Sequence, residues 1–288
     1  MLEKFIDYLR LCRLHKPVGI WLLLWPTLWG LWFAAGGPPP LTVLWVFVLG
    51  VVLMRSAGCV INDVLDKNFD PLVARTKDRP IAAGRVTRQE GVRVFVALSL
   101  IAYGLATRLN EFTVLLSIPA VLLAASYPLM KRHIALPQAY LGLAFSWGIP
   151  MAYAAIHGAV NWPEALLLMA ANICWVMAYD TCYAMVDRDD DLHIGVRSAA
   201  ILFGRFDLLA IAGLQAASLL LLAFAGRDLP WPWWLGLAVA AAVAVNVTQK
   251  ASSRNRADCF AAFTRSHWFG LAVFAGLVGA HLLRGPST

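Results

Sequence analysis

The sequence predicts an all-α membrane protein, a polytopic bundle of about nine transmembrane helices, and three observations predict it. The chain has 288 residues, 60% of them hydrophobic and only 14% charged, whereas a soluble domain is usually about 45–50% apolar and about 25% charged. Its apolar residues form long runs that approach the roughly 20 residues a membrane-spanning helix needs. Its lysines and arginines gather in alternate loops between those runs. These features exclude an ordinary soluble fold.

The apolar runs define the predicted spans. They lie near residues 19–36, 42–61, 94–109, 112–129, 135–156, 164–185, 208–226, 232–248 and 267–283. The fifth run contains Pro137 and Pro150, which a membrane helix tolerates where neighbouring groups satisfy the freed backbone. We treat the chain, residues 1–288, as one membrane-embedded domain with two halves at about 16–130 and 135–288, each carrying one acidic stretch.

The basic residues predict the orientation. The N-terminal arm and the loops after the second, fourth, sixth and eighth spans carry nearly all of them, whereas the alternate loops carry only Arg108 and Arg227. Because cytoplasmic loops are enriched in Lys and Arg, the N-terminus is expected in the cytoplasm and the C-terminus outside. The net charge of +7 therefore reflects membrane topology rather than nucleic-acid binding, which requires a basic patch on a soluble fold.

An acidic stretch, "INDVLDKNFD", follows the second span. On a helix at 100° per residue, Asn62, Asp63, Asp66 and Asp70 fall within an arc of about 100°. A second stretch, "YDTCYAMVDRDDD", ends the sixth span and places Asp180, Asp187 and Asp191 within about 40° of one another, with Tyr183 beside them and Asp189 opposite. Like charges repel, so two converging sets of carboxylates at the same membrane face indicate a cation.

Oxygen-only ligands favour Mg²⁺ or Ca²⁺ over zinc, and Mg²⁺ typically binds one or two carboxylates together with substrate phosphates. Basic residues near both stretches are candidates for the remaining phosphate charge: Arg75, Lys77, Arg79, Lys131, Arg132 and Arg197. A diphosphate at the membrane surface, with a greasy tail between helices, describes a polyprenyl diphosphate. Its ionisation gives a carbocation that needs a dry pocket and electron-rich ring faces, for which Tyr127, Tyr179 and Tyr183 are candidates.

The motif "NDVLDKNFD" resembles the NDxxDxxxD motif of the UbiA-type intramembrane aromatic prenyltransferases, and "DRDDD" resembles their second motif, DxxxD. The longer strings "MRSAGCVINDVLDKNFD", "RTKDRPIAAG", "YPLMKR", "YDTCYAMVDRDDDLHIG" and "SAAILFG" resemble the branch that acts on 4-hydroxybenzoate in bacterial ubiquinone synthesis. The resemblance covers nearly the whole chain, from "RLHKPVGIWLLLWPTLWGLW" to the ninth span.

The resemblance implies nine helices around a central cavity, with cytoplasmic loops capping the diphosphate site, in the bacterial inner membrane. It implies Mg²⁺-dependent alkylation of the aromatic ring, ortho to the hydroxyl. The metal and diphosphate set carried over by motif is Asn62, Asp63, Asp66, Asp70, Asp187 and Asp191. Among these, Asp66 and Asp191, together with Tyr183, are the expected catalytic residues. Arg75, Lys77, Arg79 and Lys131 are assigned to the caps, and Arg132 and Arg13 are candidates for the benzoate carboxylate.

Several alternatives stay open at this point. The ring proton could pass to Asp191 or to the departing diphosphate. Another family acceptor, such as dihydroxynaphthoate, homogentisate, chlorophyllide or haem, is the nearest rival. A cation-coupled transporter would place its polar site near the bilayer midplane, whereas these acids crowd one face. A phospholipid alcohol-phosphotransferase has a single acidic motif that is richer in glycine.

Overall fold

The structure is a computed structural model that describes residues 2–195 and 197–284, and the side chains at positions 131, 132 and 194 lie outside that description. Within the described residues the chain is helical, and nine helical segments are long and apolar enough to span a membrane. The predicted fold class is therefore confirmed, and the chain is a multi-pass membrane protein.

The helices, in chain order, are α1 (Leu2–Leu11), α2 (Val18–Ala35), α3 (Leu41–Leu65), α4 (Arg88–Ala106), α5 (Glu111–His133), α6 (Pro137–Ser146), α7 (Gly148–His157), α8 (Trp162–Ile194), α9 (Ala199–Phe203), α10 (Asp207–Ala225), α11 (Trp231–Ala251), α12 (Arg256–Arg265) and α13 (His267–Arg284). Short 3₁₀ turns lie at Asp70–Leu72 and Gly204–Phe206.

The fifth span is broken into α6 and α7 at Trp147. Pro150 explains the break, because a proline in a helix removes one hydrogen bond and clashes with the carbonyl four residues earlier, here that of Ser146. The side-chain hydroxyl of Ser146 is bonded within the bundle. Its Oγ donates to the Gly142 carbonyl at 2.7 Å and accepts from Asn172 Nδ2 at 2.9 Å.

The long helix α8 is the central element and packs against α6, α10 and α12. The indole rings of Trp29 on α2 and Trp175 on α8 lie 5.4 Å apart in the core. Helices α11 and α13 pack against each other through two glycines. Their backbones come so close there that a Cβ added to Gly276 would lie 2.8 Å from the Gly236 Cα.

The amphipathic helix α1 lies against the start of α4. Lys4 Nζ is 2.9 Å from a Glu90 carboxylate oxygen, and Arg85 Nε donates to Asp7 at 3.0 Å. Leu11 is fully buried at the end of α1, so this helix fixes the position of the segment that follows, which carries Arg13.

Candidate active site

The two acidic stretches meet at one end of the bundle. Asp66 and Asp70, from the end of α3 and the turn after it, line a polar cavity of about 140 Å³ together with Asp187 and Asp191 from α8. Residues far apart in sequence are thus brought to one site, as the paired motifs predicted.

The first stretch departs from the predicted continuous helix. α3 ends at Leu65, and Asp66 caps it, so the helical stripe from Asn62 to Asp70 is wrong. Pro71 keeps a regular helix from continuing through Asp70, because the residue before a proline is disfavoured in the helical region, whereas the earlier end of α3 at Leu65 has no local explanation. The chain nevertheless turns back, and the Asp70 N–H donates to the Asp66 carbonyl at 2.9 Å, which keeps Asp70 beside the site.

Arginines neutralise the first stretch. Asp63, only 1% exposed, accepts bonds from Arg13 Nη2 at 2.8 and 2.9 Å and from Arg79 Nη1 at 3.0 Å. Arg79 Nη1 also donates to both Asp70 oxygens, at 3.0 and 3.1 Å. Burial raises the pKa of the Asp70 carboxyl to about 6, against the opposing effect of Arg79.

Arg75 joins the cap loop to the second stretch. Its Nε donates to Asp187 Oδ1 at 3.0 Å, and its guanidinium lies 4.4 Å from the centroid of the Tyr183 ring. The loop after α3 therefore closes over α8 through a charged contact and a cation–π contact.

The other residues of the "DRDDD" motif point away from the cavity. Arg188 pairs with the fully buried Asp207, which also accepts Arg254 Nη2 at 2.8 Å. Asp190 pairs with Arg256 at 3.0 Å, and the Asp189 side chain is 76% exposed, with Arg256 3.7 Å away. Asp189 thus points outward, as predicted. The ion pairs on the outer face of α8 fix the rotation of the helix about its axis, which turns Asp187 and Asp191 toward the cavity.

The donor set fits a hard cation that is completed by phosphate oxygens. Within the described residues no three His, Cys, Asp or Glu side chains are close enough to hold a metal ion by themselves. The facing elements supply carboxylates and the Asn62 side-chain amide, which is the partial oxygen set that Mg²⁺ takes when substrate phosphates and water complete its shell.

Of the other basic residues predicted to bind substrate, one lines the polar cavity and one lies outside both cavities. Arg197 lines the polar cavity and donates to the His133 carbonyl at 3.1 Å. Lys77 is exposed and lies outside the polar cavity and the larger one described next. The side chains of Lys131 and Arg132 lie outside the described part of the chain.

A second, larger cavity of about 980 Å³ adjoins the polar one and extends between α2, α3, α4 and α5. Most of its lining is apolar, and it reaches side chains such as Leu100 and Leu122 that are exposed on the outside of the bundle. The two cavities share six lining residues: Asn62, Arg75, Arg79, Tyr127, Asp180 and Tyr183.

Arg55 is the functional candidate that sequence reasoning missed. It lines the larger cavity from the middle of α3, and no carboxylate of the described residues lies within 4 Å of its guanidinium. It contacts the Cys59 sulfur and lies over the Phe145 ring at 5.8 Å, while its Nε is buried without a partner. A lone charge at membrane depth is costly and marks a functional site, so its place in the apolar run "LTVLWVFVLGVVLMR" was a usable signal.

A helical membrane bundle with two facing acidic motifs beside an apolar cavity defines an intramembrane enzyme of the prenyltransferase class. The chain belongs to the UbiA prenyltransferase family, whose model matches residues 23–272. The resemblance seen in the two motifs is thereby confirmed.

Similar proteins agree with this family. The chain is 54% identical over 287 residues to a 4-hydroxybenzoate octaprenyltransferase of Thiobacillus denitrificans, covering 99% of this chain and 98% of that one. It is also 54% identical to the protein of the same name from Chromohalobacter salexigens, covering 96% and 93%.

Solved structures share the fold. A UbiA homolog from Aeropyrum pernix K1, in its apo state, superposes with a TM-score of 0.80 at 27% identity, covering 91% of this chain and 97% of that one. A UbiA homolog from Archaeoglobus fulgidus, bound to GPP and Mg²⁺, superposes with a TM-score of 0.68 at 18% identity over 95% and 99% of the two chains.

Proposed function

We propose that this protein transfers a polyprenyl group from polyprenyl diphosphate to 4-hydroxybenzoate, ortho to the hydroxyl, in ubiquinone biosynthesis. The products are 3-polyprenyl-4-hydroxybenzoate and diphosphate. The observation that carries the proposal is the convergence of two acidic stretches on one polar cavity that opens into a large apolar one. The names of the relatives at 54% identity over nearly the whole chain support this acceptor.

In this proposal the carboxylates of both stretches bind Mg²⁺ and, through it, the diphosphate. The ligand set is Asn62, Asp63, Asp66, Asp70, Asp187 and Asp191. Bound Mg²⁺ neutralises charge that develops on a leaving diphosphate. Arg75 contacts Asp187 of the second stretch and Arg79 contacts Asp70 of the first, so each is placed to exchange a carboxylate partner for a phosphate oxygen. Arg197 and Lys131 are assigned to the same role.

The prenyl tail is assigned to the large cavity. Tyr127 and Tyr183 lie on the wall shared by the two cavities, beside the position where the reacting carbon leaves the diphosphate. Their ring faces would stabilise the developing allylic cation, and the apolar lining would exclude water from it.

Arg55 is assigned to the acceptor carboxylate. A carboxylate in an apolar cavity is costly unless it is paired, and the planar guanidinium matches it with two bonds. Arg13, one of the two candidates from sequence, is already engaged with Asp63, which favours a role in the metal and diphosphate region. Arg55 has no competing carboxylate among the described residues.

We place the acidic end of the bundle and the N-terminus in the cytoplasm, with the protein in the bacterial inner membrane. The support is the distribution of Lys and Arg over alternate loops, because cytoplasmic loops carry the excess of these residues.

The test is an acceptor panel. Purified protein is incubated with Mg²⁺ and a polyprenyl diphosphate, and 4-hydroxybenzoate, dihydroxynaphthoate and homogentisate compete in one mixture. The proposal expects the prenylated 4-hydroxybenzoate mass to dominate. Dominance of another prenylated acceptor would retain the chemistry and reject this substrate.

A further inference from the structure

Asp180 is the one described carboxylate that lines both cavities. Asp63 and Asp78 line only the large one, whereas Asp66, Asp70, Asp187 and Asp191 line only the polar one. Asp180 lies on α8 and is 8% exposed. It therefore faces the junction at which a prenyl diphosphate and an aromatic acceptor would meet.

Asp180 also differs from its neighbours in its partners. Asp63, Asp70 and Asp187 each pair with an arginine, whereas no cationic side chain of the described residues lies within ion-pair distance of Asp180. An arginine bonded to a carboxylate stabilises its charged form and occupies its oxygens, which makes it a poorer proton acceptor. Arg55 and Arg75 act on Asp180 only from beyond ion-pair distance, so no described guanidinium occupies its oxygens.

Gln138 is the neutral polar neighbour of Asp180. Gln138 is buried at the start of α6, and its Oε1 accepts a bond from the Ala199 N–H at 3.0 Å. This bond fixes the amide, so its NH₂ is the group that faces Asp180. A neutral amide donor beside the carboxylate leaves acceptor positions on its oxygens.

We propose that the Asp180 carboxylate accepts the proton from the acceptor ring. This step rests on the proposed function and on the assignment of the acceptor carboxylate to Arg55, which lines only the large cavity. With its carboxylate on Arg55 and its reacting carbon toward the polar cavity, the ring lies against the shared wall that holds Asp180.

The transfer breaks one C–O bond and one C–H bond and forms one C–C bond. The bond between prenyl C1 and the diphosphate oxygen breaks, and both electrons leave with the diphosphate. A π pair of the ring forms the new C–C bond at the carbon ortho to the hydroxyl. The electrons of the C–H bond at that carbon then return to the ring, and the proton moves to an Asp180 oxygen. It leaves with the diphosphate through the polar cavity.

The test combines Asp180→Asn with 4-hydroxybenzoate deuterated at both carbons ortho to the hydroxyl. Single-turnover rates are measured with saturating Mg²⁺ and prenyl diphosphate, together with the KM of each substrate. In the parent protein Asp180 makes proton loss fast, so deuteration leaves the rate unchanged. In Asp180→Asn the rate should fall about 10²-fold or more, with a primary isotope effect and an unchanged KM for prenyl diphosphate.

Two variants complete the design. Asp180→Glu keeps a carboxylate and should recover part of the rate and reduce the isotope effect. Asp189→Asn alters an exposed acid on the same helix and should behave as the parent protein does. A near-normal rate in Asp180→Asn, or a loss without an isotope effect, overturns the inference. Absence of any prenylated 4-hydroxybenzoate from the parent protein would instead reject the proposed function.

Discussion

Replacing Arg55 with methionine tests how the acceptor is recognised. Methionine is apolar and of similar length, so the variant removes the charge and the donors while filling much of the space. Because no carboxylate of the described residues pairs with Arg55, the change breaks no ion pair. We therefore expect the fold and metal-dependent binding of prenyl diphosphate to persist.

The expected magnitude follows from the bonds available. One guanidinium nitrogen contacts Cys59, and Nε is buried without a partner, so donors remain for a bidentate contact with a carboxylate. Losing a hydrogen bond to a charged group costs about 1.5–3 kcal/mol, which is roughly a ten- to hundredfold rise in KM for 4-hydroxybenzoate.

The assay measures KM for both substrates, with 4-hydroxyacetophenone as a neutral acceptor of similar shape. Arg55→Met should raise KM for 4-hydroxybenzoate and leave KM for the neutral acceptor and for prenyl diphosphate nearly unchanged. Gly19→Ala disturbs the same guanidinium while Arg55 itself is retained. The added Cβ would lie 2.4 Å from Arg55 Nη2 and displace the guanidinium. An unchanged KM for 4-hydroxybenzoate in Arg55→Met would refute the assignment. Arg132, the other candidate from the sequence, would then be tested by Arg132→Ala.

Three further predictions concern the metal, the packing and the topology. Asp66→Ala and Asp187→Ala should each lose most turnover while still folding in detergent, and chelation should abolish activity; near-normal turnover in both would reject the two-stretch site. Gly276→Val should lower the free energy of unfolding by about 1–3 kcal/mol, because the new Cβ would meet the backbone of α11. Gly213→Ala should not, because its Cβ would meet open space. Equal melting temperatures for the two variants would contradict this prediction. A cysteine introduced at position 85 should be labelled only from the cytoplasm, and one at position 288 only from outside; the reverse pattern would overturn the orientation.

The positions of the spans could be predicted because hydropathy and length are properties of contiguous sequence. The convergence of the acidic stretches could be predicted because metal binding explains why like charges share a face. Pro71 is a local signal against a continuous helix through Asp70, whereas the exit of the chain from the helix at Asp66 has no such signal in the sequence.

The arginine pairings depend on tertiary packing, so they were harder to predict from the sequence. Arg13 reaches Asp63 only because α1 folds back against α4, a contact that no local pattern encodes. Arg55 was different, since a single charge within an apolar run is visible in the sequence. Asp180 was visible as part of the second stretch, but its place on the wall shared by two cavities needed the structure.

The most direct test of the central claim is product analysis with the purified protein, Mg²⁺, a polyprenyl diphosphate and 4-hydroxybenzoate. The account predicts equal amounts of diphosphate and of an acceptor enlarged by one prenyl group. The new bond should lie at the ring carbon ortho to the hydroxyl, and no product should form after chelation. Prenylation on oxygen, metal-independent turnover, or diphosphate release without any prenylated acceptor would contradict it.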